Sequence, residues 1–238
     1  MNPDFYKKTL AAKACKALAA MAVVAVAGCG NQPPAPDWAL NAEAAAQRAS
    51  AAYLQGQQRI ETLQWQKARE AVASTGRPDQ AGKLELMRCA AQVASLDWSG
   101  CTEYQGLAQD ARAEEQAYAR YLQAQPLAQD LELLPLAQRA VAARLAAGGA
   151  ADDGLLETVA AIKEPMSRLL AAAVLLRGGG ASPGLLQLGV DTASAQGWRR
   201  PLMGWLLLQL KAAQQAGDAA MAAQTERRLQ LLNASAPK

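Results

Sequence analysis

The run Leu169-Leu170-Ala171-Ala172-Ala173-Val174-Leu175-Leu176 (LLAAAVLL) is apolar on almost every side of a helix. Alanine and leucine are strong helix formers, and the run holds a single β-branched residue. It is far too short to cross a bilayer, which takes about 20 apolar residues. A helix that is apolar all round and cannot span a membrane has to be wrapped by its neighbours. Residues 169–176 are therefore predicted as a central helix. Residues 202–208 (LMGWLLL) read the same way and give a second one.

The flanks carry the punctuation of helices. Lys163-Glu164-Pro165 precedes the run and Gly178-Gly179-Gly180 follows it. Proline opens a helix at its first position and glycine closes one in the left-handed conformation. Similar breaks recur near Gly56, Gly76-Arg77-Pro78, Ser99-Gly100, Gln125-Pro126, Gly148-Gly149, Gly197 and Gly217-Asp218. Ser182-Pro183 and Asp152-Asp153 suit helix starts, where a side-chain oxygen or a carboxylate meets free backbone N–H groups. These breaks predict about nine helices of roughly 10–20 residues with short connections. No alternating strand pattern is present, and the chain has one Phe.

Apolar residues recur at helical spacing in several windows. Ile60, Leu63, Ala68, Ala71 and Val72 are predicted to share one face. Leu86, Cys89, Ala90, Val93 and Leu96 share another, and Met221, Thr225, Leu229 and Leu232 a third. Helix pairs spaced roughly 30–40 residues apart point to repeat architecture. Residues 49–82 loosely resemble a tetratricopeptide repeat, with Gly56 and Ala68 at its small-residue positions. Pro78 falls two places early there, and the large aromatic positions do not match. The fold class read from the sequence is all-α: helical hairpins packed as an α-solenoid or an irregular bundle of about nine helices over residues 38–234.

The N-terminus has another character. Lys7, Lys8, Lys13 and Lys16 stand against Asp4, and residues 17–28 (ALAAMAVVAVAG) carry no charge. A basic start, a short apolar centre and small residues at its end describe a cleaved export signal. The run closes on Val26-Ala27-Gly28-Cys29, which resembles the lipobox of bacterial lipoproteins. That resemblance implies cleavage before Cys29, a diacylglycerol on its thiol and acylation of the new amine. Gly30, where inner-membrane retention usually uses Asp, implies the outer membrane. The organisation expected is a signal peptide over 1–28, a lipid-anchored Pro-rich tether over 29–37, an all-helical periplasmic domain over 38–234 and a flexible tail over 235–238.

Charge and composition exclude several function classes. The chain holds 24 Lys and Arg against 21 Asp and Glu. Loss of residues 1–28 removes four lysines and one aspartate, leaving 20 of each sign. A neutral mature domain gives no reason to expect a nucleic-acid partner. No histidine is present, which removes Ser-His-Asp and Cys-His nucleophilic sites and any His-ligated metal. Cys15 leaves with the signal. Cys89 and Cys101 remain, twelve positions apart, in a compartment that permits disulfides. A disulfide between them is expected; the alternatives are a buried free pair or a metal site, and two thiols without histidine make a poor zinc site.

Few catalytic options survive. Ser235-Ala236-Pro237-Lys238 has S-x-x-K spacing, but on the last four residues and without its partner motifs. Gly184-Leu185-Leu186-Gln187-Leu188 with Asp191-Thr192-Ala193 resembles the G-L-M-Q…T-A stretch of lytic transglycosylases. The resemblance implies a general acid upstream, and Glu164 is the residue in place, although Pro165 follows it where that family has Ser. The carboxylate pairs Asp130/Glu132, Asp152/Asp153 and Glu114/Glu115 read as caps and solvated faces. Gly178-Gly179-Gly180 lacks the frame of a phosphate loop. The best binding candidate is the segment holding Trp198, Arg199, Arg200 and Trp205, because Trp and Arg dominate interface hot spots; the other reading is a helix corner with its tryptophans packed inward.

The function expected is a non-catalytic adaptor or assembly lipoprotein of the outer membrane, facing the periplasm and binding other envelope proteins, with no cofactor and no metal. A peptidoglycan-cleaving enzyme with Glu164 as acid, or a small-ligand binder, are the alternatives. A deep groove with buried Glu164 beside Gln187 points to the enzyme. A concave apolar surface exposing Trp198 and Arg199 points to the adaptor, and a closed apolar cavity to the ligand binder.

Overall fold

The computed structural model describes residues 34–149 and 152–234. Among these residues the chain forms eleven α-helices and two 3-10 turns, and no strand. The helices are α1 Asp37–Gln55, α2 Gln58–Ala73, α3 Pro78–Ala94, α4 Thr102–Gln105, α5 Ala113–Leu122, α6 Leu136–Ala146, α7 Asp153–Ala160, α8 Pro165–Gly179, α9 Pro183–Ala195, α10 Arg199–Ala216 and α11 Ala219–Ala234. The 3-10 turns cover Ala108–Asp110 and Ala128–Leu133. Nine of the helices have ten residues or more, the number expected from the breaks, and α4 and α7 are short additions. Asp37–Lys238 is one compact unit and Met1–Pro36 another, of which only the exposed residues 34–36 are described. The expected signal over 1–28, the expected lipid site Cys29 and the expected tail with Ser235 and Lys238 lie outside the described residues. No helix among the described residues is long and apolar enough to cross a membrane.

Helix α8 is the centre of the core. Every residue of 169–176 is buried, and α3, α6 and α9 pack around them. Truncating Leu175, which has no exposed surface, to alanine costs about 2–5 kcal/mol, the transfer term plus the cavity left behind. Helix α10 departs from the expectation for residues 202–208. Leu202, Trp205 and Leu206 are buried, but Leu207 is 53 % exposed. The helix packs on α9, α11 and α1 and against the end of α3, but Leu207 and Lys211 remain on an outward face, so only α8 is buried along its whole apolar run.

Helices α1 and α2 form a hairpin across Gly56, whose φ of +78° is the left-handed turn that glycine adopts without a Cβ clash. Ala42, Ala45, Ala46 and Ala49 of α1 pack with Trp65, Ala68 and Val72 of α2 in a small core completed by Leu84 of α3. Alanines let the two backbones approach. The face expected for α2 is corrected here. Glu61, Trp65, Ala68 and Val72 point inward, whereas Ile60 and Leu63 are 47 % and 50 % exposed. The physical reason is the large ring of Trp65 together with an inward ion pair at Glu61. Helix α3 joins this small core to the main one through Leu86, Cys89, Ala90 and Val93.

Candidate functional site

The cysteine pair is the first sequence candidate that the structure brings together. Cys89 on the inner face of α3 and Cys101 just before α4 are joined by a disulfide, with Cα atoms 5.4 Å apart and both residues buried. The bridge folds the turn around Asp97, Trp98 and Gly100 back onto the end of α3. Closing a loop of this size stabilises the fold by about 3 kcal/mol in the chain-entropy estimate.

The Trp-Arg segment is turned into the molecule. Trp205 has no exposed surface, and its indole N–H donates to the Ala94 carbonyl at 3.2 Å. Its ring lies so close over Gly189 of α9 that a Cβ there has no room. Trp205 is thus a core residue and not a contact for a partner: the sequence signal for a hot spot and for a core anchor is the same large ring. Trp198, half-buried at the start of α10, packs against the small cluster of Tyr53, Leu54 and Ala91 and against the main core.

The two arginines act as clamps. Arg199 donates from Nε and Nη2 to the Leu232 carbonyl, at 3.3 and 3.0 Å, fixing α10 to the end of α11. Arg200 donates to the Tyr53 carbonyl at 2.9 Å, lies 4.2 Å from the centre of the Tyr53 ring, and stands 3.7 Å from Glu61. One side chain of α10 therefore grips α1 and α2 at once. Burial pushes the Glu61 carboxyl above its ordinary value, against the pull of Arg200 and Arg88. Burial, with the charge of Asp97, pushes the Tyr53 hydroxyl up to about 12.

Glu164 and Gln187 do not meet in one site. Glu164 is exposed and caps α8, its carboxylate accepting from the Met166 and Ser167 N–H groups. Gln187 donates to Asp191 at 2.8 Å and accepts from Gln209 at 2.9 Å. It lines an open cleft of about 450 Å³ with Pro183, Leu186, Gln209, Ala213 and Met221, and Glu164 is not among the lining residues.

The carboxylate pairs sort differently from one another. Asp152 caps α7, accepting from the Leu155 N–H, and Glu114 and Glu115 stand in the first turn of α5. Asp130 corrects the expectation of a solvated face: it has no exposed surface and is gripped by two N–H groups of Arg120. Among the described residues no group of three His, Cys, Asp or Glu side chains is placed to hold a metal ion.

A surface that the sequence reading missed lies between α3, α5 and the start of α6. It is an open cleft of about 430 Å³ with Leu86, Met87, Tyr118, Leu133 and Pro135 along it and Lys83, Arg112 and Glu115 among its charged members. One oxygen of Glu115 is buried there without a hydrogen-bond partner among the described residues. Leu136, next to Pro135, is 82 % exposed. Pro135-Leu136, a leucine at the start of a helix opened by proline, was the available signal. No protein-family profile, curated protein or solved structure matches this chain.

Proposed function

We propose that the chain is a lipid-anchored, non-catalytic helical adaptor of the outer membrane that faces the periplasm and binds other envelope proteins. The observation that carries it is the run Val26-Ala27-Gly28-Cys29 behind a basic and then apolar leader. The Cys89–Cys101 disulfide supports the same address, since disulfides persist in oxidising compartments. The surface differs from the one expected. Trp198 and Arg199 are engaged within the fold, so the docking face moves to the cleft between α3, α5 and α6. Its apolar floor, the exposed Leu136 beside it and the Glu115 oxygen lacking a donor suit a polypeptide, which offers apolar side chains and N–H groups together. Separation of Glu164 from the Gln187 cleft, and the openness of both clefts, give the enzyme and closed-cavity readings less support.

Two measurements test this. Cys29→Ala is expected to move the protein from the membrane to the soluble fraction; retention in the membrane counts against acylation. A photoreactive side chain at position 136 is expected to form one discrete adduct with an envelope protein in cells, and one at the exposed position 67 none. Equal labelling from both positions defeats the docking face.

A further inference from the structure

We infer that the end of the domain at which α1 begins is turned to the lipid surface, with Trp38 at headgroup level. The inference rests on the anchor proposed at Cys29. Nine peptide steps separate Cys29 from Trp38, and a chain spans at most about 3.6 Å per residue, so Trp38 lies within about 32 Å of an acylated Cys29. Pro33, Pro34 and Pro36 fall within that stretch and stiffen it.

The residues at this end match an interface between water and lipid. Trp38 lies half-buried along an open cleft of about 380 Å³ between α1, α2 and α3, with Ala42, Val72, Leu84 and Met87. Met87, on the ridge this cleft shares with the one between α3, α5 and α6, is 37 % exposed, and Leu40, on the other side of the same first turn of α1, is 52 % exposed. Lys83 and Glu43 stand along the same cleft, Lys83 bordering the cleft of α3, α5 and α6 as well, and the Lys83 ammonium forms no ion pair among the described residues. An indole with its N–H, apolar neighbours and a long lysine is the combination that settles at a membrane–water boundary. An acyl anchor fixes only a point; a second contact fixes which side of the domain looks away from the bilayer.

The molecule holds its own control. Trp98 follows the far end of α3 and is 39 % exposed, with the Arg177 guanidinium 5.8 Å from its ring. From Lys83 to Ala94 the helix rises about 17 Å, so Trp38 and Trp98 report from opposite ends of α3. Trp65 and Trp205 are buried, and Trp198 is half-buried at the start of α10.

The test uses the full mature chain purified from the envelope and placed in phosphatidylethanolamine/phosphatidylglycerol vesicles with brominated acyl chains, which quench tryptophan at the interface. Trp38→Phe is expected to lower the quenched fraction at least twofold, and Trp98→Phe to leave it unchanged, with the helical circular-dichroism signal intact in both. Loss of quenching in Trp98→Phe instead overturns the orientation. So does absence of quenching in the unmutated chain when mass spectrometry finds acyl chains on Cys29, the result expected if protein covers this face. An unmodified Cys29 sinks the anchor and the orientation together.

Discussion

Replacing Asp130 by asparagine keeps the shape of the side chain and removes its charge. Asp130 has no exposed surface. It accepts from Arg120 Nε at 2.8 Å and from the Leu127 N–H at 2.9 Å, with a further bond from Arg120 Nη2. The substituted amide can still accept from Leu127, so the loss falls on the ion pair that ties α5 to the 3-10 turn before α6. Removing one partner of a buried pair costs about 3–5 kcal/mol. The Arg120 side chain is 33 % exposed and can take up water, which places the expected loss near the lower end, about 3 kcal/mol. For a domain of this size each kcal/mol lowers Tm by about 2–4 °C, giving a fall of about 6–12 °C at neutral pH.

The pH dependence has a fixed sign. The Arg120 hydrogen bonds, with that of Leu127, hold the Asp130 carboxyl below its ordinary value. The folded state thus favours the ionised form, and its extra stability is complete above the unfolded value of about 3.9 and lost as pH falls through the folded value. Urea unfolding of both proteins at neutral pH and near pH 3 is the assay. The gap between them should shrink in acid at unchanged m-value. A gap under about 0.5 kcal/mol at neutral pH, or one that stays constant into acid, refutes the reasoning.

Three further outcomes are expected. Reducing the Cys89–Cys101 bridge, or replacing both cysteines by alanine, should lower stability by about 3 kcal/mol; denaturation curves that coincide with and without reductant contradict a structural role. Gly189→Ala sets two effects of opposite sign against each other: helix propensity alone raises stability by about 1 kcal/mol, whereas crowding of the Trp205 ring costs about 1–3 kcal/mol. A lower Tm shows that the close approach is real, and a higher one shows that the ring yields. Glu164→Ala should lose the α8 cap, about 1 kcal/mol, and neither the variant nor the unmutated chain should turn over purified peptidoglycan; turnover that is present in the unmutated chain and lost in the variant reinstates the general acid.

The helices were legible because their determinants are local. Glu164-Pro165 and Ser182-Pro183 open α8 and α9, and the all-apolar run 169–176 had nowhere to go but the centre. The spacing of Leu86, Cys89, Ala90 and Val93 placed Cys89 inward before its partner was known. The surface was much less legible. A helical period says that two faces differ but not which of two similar ones turns inward. On α2 that was decided by Trp65 and by Glu61 meeting Arg200, a residue 139 positions later.

The sequence by itself determined an all-helical domain, its helix breaks and its inward cysteine, because propensity, caps and apolar period act over a few residues. Only the tertiary structure decided that Asp130 is buried with Arg120 and that the Trp-Arg segment clamps α10 to α1, α2 and α11. It also opened a cleft between α3, α5 and α6. Burial and pairing depend on which distant side chains arrive at the same place, and a lone Arg, Asp or Trp is written the same way whether it faces water, a partner or its own core.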